Sequence, residues 1–217
     1  AWNPDAVQKV FTTKGRPADN PLIVHISQYS EAEDFATEIS DDARKLMKAY
    51  WPGPLTLIFK KKPDVLDLIT AGLNTVALRW PKHPLSQDLI ARVGPLVAPS
   101  ANSSGKPSPT KPEHVTEDFG DHFPVIAAGE TDIGLESTVL DVSQKPFQIY
   151  RPGAISLEQI EEAIDTSVMM ADEDPQQSAK SPGTKYTHYA PKATVQWMDD
   201  HPQNKHTLYL LHRSNHN

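Results

Sequence analysis

The chain has 217 residues, 38% of them hydrophobic and 23% charged, with no cysteine and a mean hydropathy of -0.50. No apolar run reaches the roughly 18 residues of a membrane-spanning helix, no disulfide or thiolate-held zinc can form, and neither end reads as an export signal, so a cytoplasmic globular protein is expected. The net charge of -7 disfavours wrapping long nucleic acid by phosphate neutralisation, yet a few clustered cations can still hold a small anion.

Residues 3–15 read as a helix: Asn3 caps it, Pro4 fits its first turn and Gly15 ends it. The run Leu22-Ile23-Val24-His25-Ile26 is a short buried strand. Helices are expected over 31–39 and 41–50, the second capped by Ser40 with Ala43, Leu46, Met47 and Tyr50 as its apolar stripe. Trp51-Pro52-Gly53-Pro54 breaks that helix, and 55–59 is the next strand. A short helix at 64–69, a strand at 75–80, a helix at 84–93 and a strand at 96–98 follow. That strand runs into a polar loop over 99–111. A helix at 112–119, strands at 124–128, 137–142 and 147–150, and a helix at 156–164 opened by a Ser156–Gln159 capping box complete the body. Interleaved strands and helices imply an α/β fold with a mixed, twisted sheet. The 20 prolines lie in short motifs and suggest rigid turns. Residues 166–192 read as a linker, and 193–197 and 207–211 as two strands of a further segment, 193–217, too short to bury a core alone and so either cut short or docked on something.

Four loops place polar residues beside strand ends, where α/β folds bind ligands. The first holds Lys14, Arg16, Asp19 and Asn20, a polyphosphate cradle or simply a solvated Lys/Arg pair. In the second, Arg79 ends an apolar strand and needs an anionic partner, whether a structural carboxylate or a ligand. The third runs from Ala98 through Ser100 and Asn102 to Thr110, either a close backbone approach to a ligand or an ordinary Ser/Gly turn. The fourth sets Ser137 and Thr138 entering one strand against Arg151 leaving the next. His25 lies inside an apolar strand, where a satisfied core histidine is the commoner outcome. No metal-ligand spacing occurs, and neither GxGxxG, GxxxxGK[ST] nor GxSxG is present.

Together these segments resemble one family. KGRPADNPLIVHI (14–26), WPGPLTLIF (51–59), VALRWP (76–81), APSAN (98–102), ESTVLD (136–141) and IYRPGAI (149–155) are similar, in that order, to the YrdC-type threonylcarbamoyl-AMP synthases. The likeness covers about residues 3–165. SPGTKYTHYAP (181–191) resembles the linker of the family's long form, which adds a small C-terminal α/β domain. Set against that pattern, the chain is expected to be a fragment, lacking the family's first strand with its threonine-contacting turn and most of the C-terminal domain.

The resemblance implies a nucleotidyltransferase that makes threonylcarbamoyl-adenylate from L-threonine, bicarbonate or CO2, and ATP, releasing pyrophosphate. The product would feed a downstream transferase complex that modifies tRNA to threonylcarbamoyladenosine. By position, His25, Arg79 and Ser137 would hold threonine. Lys14, Arg16, Asn20, Thr75, Ser100, Asn102, Thr110 and Arg151 would hold ATP with its Mg2+, Tyr189 would reach in from a lid formed by 181–191, and Lys14 and Arg16 would stabilise charge on the phosphates. Such chemistry needs positioning more than a covalent nucleophile. The alternative is a non-catalytic RNA-binding module of the same type, which the acidic balance disfavours. A carbamoyl transferase of the hydrogenase-maturation kind fits poorly, for want of cysteine.

Overall fold

The computed structural model describes residues 1–171. Tyr189, the 181–191 segment and the expected strands at 193–197 and 207–211 lie outside the described residues.

Helix α1 (Pro4–Lys14) starts where Asn3 Oδ1 accepts the backbone N–H groups of Asp5 and Ala6 at 3.0 and 3.1 Å, and it stops at Gly15, which adopts φ +60. Strand β1 (Ile23–His25) follows. A 3-10 turn (Tyr29–Glu31) leads into α2 (Ala32–Phe35), much shorter than the helix expected over 31–39. The chain leaves the helix at Ala36, which bridges Lys61, and Thr37 N–H donates to the Lys60 carbonyl at 2.9 Å. Pairing beyond the end of a strand here outcompetes one more helical turn. Helix α3 (Asp41–Tyr50) is capped by Ser40 as expected and buries Ala43, Leu46 and Met47.

Strand β2 (Leu55–Lys60), α4 (Asp67–Thr70), β3 (Thr75–Arg79), α5 (Pro84–Val93), β4 (Leu96–Val97), α6 (Pro112–Phe119), β5 (Thr138–Asp141), β6 (Gln148–Arg151) and α7 (Leu157–Ile164) come next. The capping box of α7 is present in both directions, Ser156 to Gln159 and back. The apolar run at 124–128 forms no strand, and Ile126 is exposed. Conversely, Met169–Met170 forms β7 beside β6, inside the stretch that reads as linker in the sequence.

The seven strands form one mixed sheet in the order β4-β1-β3-β2-β5-β6-β7. Pairs β1/β3, β2/β5 and β6/β7 are parallel, and β1/β4, β2/β3 and β5/β6 antiparallel. Side chains alternate between its faces. One face carries Val24, Leu55, Leu57, Phe59, Val76, Leu78, Leu140 and Ile149 into the large core, shared with Val7 and Phe11 of α1, Leu46 of α3 and Ile160 of α7. The opposite face holds a small cluster, Ile23, Ile58, Ala77 and Val139, with Tyr150 packed on it. Among the described residues no helix is long and apolar enough to cross a membrane.

Candidate functional site

The same alternation puts His25, Arg79, Thr56 and Ser137 on the small-cluster face, one step beyond Ile23, Ala77, Ile58 and Val139 along their strands. His25 lies opposite Arg79, Thr56 opposite Val139, and Val139 opposite Arg151. The register of β5 and β6 shifts here, leaving Tyr150 as the extra residue between Ile149 and Arg151. That bulge turns both Tyr150 and Arg151 toward this face. One row across the sheet therefore carries an imidazole, two guanidiniums and two hydroxyls.

Arg79 is half-buried, and its Nε donates to the Gly53 carbonyl at 3.1 Å. It pairs with no carboxylate among the described residues. Burial, with Arg151 as a like-charged neighbour, makes its charge harder to hold. His25 Nδ1 is sealed from solvent with no hydrogen-bond partner among the described residues. Burial first, and then the Arg79 charge, push the imidazole down to about 3. It is neutral at physiological pH, with polar capacity unused.

Ser137 and Thr56 are fully buried and share a hydrogen bond at 2.7 Å. Arg151 brackets Ser137, donating from Nη2 to its carbonyl at 2.9 Å and to its Oγ at 3.1 Å. Its Nη1 pairs with Glu136 at 2.8 Å, and Glu136 accepts from Ser108 at 3.3 Å. Thus Arg151 has a protein counterion, and Arg79 has none among the described residues.

The first and third loops are laced together. Lys14 Nζ donates to the carbonyls of Ser100 and Asn102, and Ser104 N–H donates to the Lys14 carbonyl at 3.0 Å. Burial and the nearby Arg16 lower Lys14 to about 8, against an opposing pull from Asp118. Arg16 Nη2 donates to Asn20 Oδ1 and to the Pro21 carbonyl, both at 2.7 Å. Asn102 donates to the Ser103 and Lys106 carbonyls, while its buried Oδ1 has no partner among the described residues. Asp118 of α6 clamps the loop from below, accepting from Ser103 N–H and pairing with Lys106.

Thr75 starts β3 opposite Lys60, four residues before Arg79 on the same face and so about 13 Å from it. It lines an open depression of about 780 Å³ with Lys60, Asn74, Asp141 and Tyr150. Pro21, just after Asn20, lines a small gap with Thr75 and Ala77, so the Arg16–Asn20 loop approaches this end of the face. Thr110 lies at the entry to α6, its carbonyl accepting from Thr131 N–H at 3.0 Å. His25, Arg79, Ser137 and Arg151 thus gather at one end of the face. Lys14, Arg16, Asn20, Ser100 and Asn102 form a second group in the loops, and Thr75 marks the far end. Sequence reasoning passed over Thr56, Glu136 and Asp118. Only Thr56 had a visible signal, as a hydroxyl in an otherwise apolar strand.

The sheet thus has one face backed by helices and the other lined by two arginines, of which Arg79 meets no carboxylate among the described residues, and by buried hydroxyls, the class of α/β protein with a polar, cationic sheet face. Residues 1–153 match the Sua5/YciO/YrdC family model, described as telomere recombination, and 155–217 match the model of the threonylcarbamoyl-AMP synthase C-terminal domain. The chain belongs to the Sua5/YciO/YrdC family, in its long form. It is 49% identical over 207 residues to the threonylcarbamoyl-AMP synthase of Bacillus subtilis, a match covering 94% of this chain and 60% of that one. It is 48% identical to the Pyrococcus abyssi protein of the same name, over 90% of this chain and 58% of that one. The crystal structure of P. abyssi Sua5 complexed with L-threonine superimposes with a TM-score of 0.84 at 47% identity, covering 89% of this chain and 58% of that one. The chain thus spans about three-fifths of the length of these relatives.

Proposed function

We propose that this chain carries the reaction site of an L-threonylcarbamoyladenylate synthase, a nucleotidyltransferase acting on L-threonine, bicarbonate or CO2, and ATP. The observation that carries the reading is Arg79: a half-buried guanidinium with no carboxylate partner among the described residues, beside a neutral imidazole with an unused nitrogen. An α-carboxylate would supply the missing counter-charge, and the names of the relatives above say which amino acid fits.

The threonine amine takes up CO2 to give a carbamate, losing a proton. A carbamate oxygen then attacks the α-phosphorus of ATP as the bond to the β-phosphate oxygen breaks, giving the mixed anhydride and pyrophosphate. Arg79 and Ser137 would fix the amino acid, with neutral His25 against it. Lys14 and Arg16 would share the triphosphate charge with the Mg2+ that ATP brings, and Asn20, Ser100, Asn102, Thr110 and Arg151 would line the nucleotide. Thr75 and the open depression beside it extend that side. Positioning and charge stabilisation suffice for such a step. The product would pass to a tRNA-modifying transferase in the cytoplasm.

Pyrophosphate release from the 217-residue chain tests this directly. It should require ATP, L-threonine and bicarbonate together. Release that ignores threonine, or salt-sensitive RNA binding with no release at all, would overturn the reading.

A further inference from the structure

Two buried hydroxyls and one hydrogen bond leave a proton over. Thr56 Oγ1 and Ser137 Oγ lie 2.7 Å apart, each fully buried, and each brings one O–H donor. One of those protons makes the bond between them. Arg151, the other neighbour, only donates, from Nη2 to Ser137 Oγ at 3.1 Å. The second hydroxyl proton has no acceptor among the described residues, and a buried donor without a partner is costly.

We infer that Thr56 is a positioning residue that turns the Ser137 hydroxyl toward the bound amino acid. Thr56 donates to Ser137 Oγ, which then accepts from both Thr56 and Arg151, and both its lone pairs are filled. Its own hydrogen is left one direction, away from both donors. The acceptor that completes it is an oxygen of the ligand, and Arg79 in the same row supplies the charge that draws a carboxylate there. With the bond reversed, the orphan proton would sit on Thr56, inside strand β2, rather than on Ser137, which stands at the entry to β5. Neither the family match nor the sequence motifs give Thr56 a role. This inference rests on the threonine-binding reading above.

The test compares wild type, Thr56→Val, Thr56→Ser, Ser137→Ala and the Thr56→Val/Ser137→Ala pair, with L-threonine and ATP titrated separately and turnover measured. Thr56→Val keeps the shape of the side chain and removes only the hydroxyl. It should raise the Kd and KM for threonine about five- to twenty-fold while leaving the ATP Kd within two-fold, and Thr56→Ser should restore threonine affinity. On the Ser137→Ala background, Thr56→Val should add nothing, because its effect runs through Ser137. Equal losses for threonine and ATP, or full additivity in the double variant, would mark Thr56 as structural and overturn the inference. Unchanged threonine affinity in Thr56→Val would do the same. A wild-type chain that binds no threonine would instead bring down the functional reading, so the two failures are distinguishable.

Discussion

Arg79 stands directly opposite His25 in the parallel β1–β3 register, and its charge adds to burial in keeping that imidazole neutral. Folding therefore lowers the histidine from its ordinary value near 6.5 to about 3. Between these values the unfolded chain binds a proton that the folded chain does not, so stability falls as pH drops through that window. Above pH 6.5 the group contributes no slope.

The expected outcome is a stability loss approaching about 1.4 kcal/mol per pH unit from this one group, below pH 6 and levelling near pH 3. Urea unfolding of wild type and His25→Asn across pH 4–8 reads the difference. The variant should show a shallower acid limb. Parallel curves would mean that His25 titrates normally in the folded state.

Replacing Arg79 by Ala should abolish threonine binding and spare ATP. Loss of one partner of a buried charge-assisted pair costs about 2–5 kcal/mol, roughly a thirty-fold or greater rise in Kd. Arg79→Lys should rescue little, because an ammonium lacks the planar fork. Calorimetric titration of each ligand is the measurement. Native-like threonine affinity in a folded Arg79→Ala protein would make this arginine structural.

Lys14, lowered to about 8, carries its charge at pH 7 and largely loses it by pH 9. If its ammonium faces the triphosphate, ATP affinity should fall by up to about fivefold between pH 8 and 9. Lys14→Arg should flatten that fall, since guanidinium keeps its proton. A fall of the same size in both proteins would place the titrating group elsewhere and leave Lys14 as a tether for Ser100 and Asn102.

Gly153 lies hard against the strand entry that carries Ser137. A Cβ there would stand 2.5 Å from the Glu136 carbonyl oxygen and 2.6 Å from the Ser137 carbonyl carbon, both backbone atoms that cannot rotate away. Gly153→Ala should cost about 1–3 kcal/mol of stability, a melting shift of several degrees, and weaken threonine binding as Ser137 moves. Thermal melts with and without threonine check both. An unshifted melt would mean the 136–138 backbone yields without cost.

Local signals made much of the fold legible. Asn3, Pro4 and Gly15 bound α1, Pro84 and Pro112 open α5 and α6, and the Ser156–Gln159 box opens α7. The failures were failures of neighbourhood. The run at 124–128 has the composition of a strand but pairs with no strand edge among the described residues. Residues 36 and 37 were taken from a helix by Lys60 and Lys61 across the fold. Two exposed methionines gave no hint of β7. At the site, His25 and Arg79 stand out because a polar residue in an apolar strand is visible in one dimension, but the commoner outcome for such a histidine, a satisfied one, does not hold at Nδ1 among the described residues. The Thr56–Ser137 bond and the Asp118 clamp join residues far apart in sequence, and no spacing rule reports them.

The strand order has a kinetic consequence. Ile23 pairs with Ala77 and Leu55 with Thr138, so the row from His25 to Arg151 is assembled only by closing long loops. Such closure is slow, and its entropy is spent before the distant contacts return anything. No shorter piece of this sequence brings Arg79 beside His25 and Thr56 beside Ser137 at once. A ligand that needs the whole row can therefore recognise only molecules in which both crossovers are complete, and by mass action it would stabilise that population alone. During synthesis, His25 can meet Arg79 once residue 79 is free, but the row through to Arg151 would be complete only after the ribosome has released residue 151.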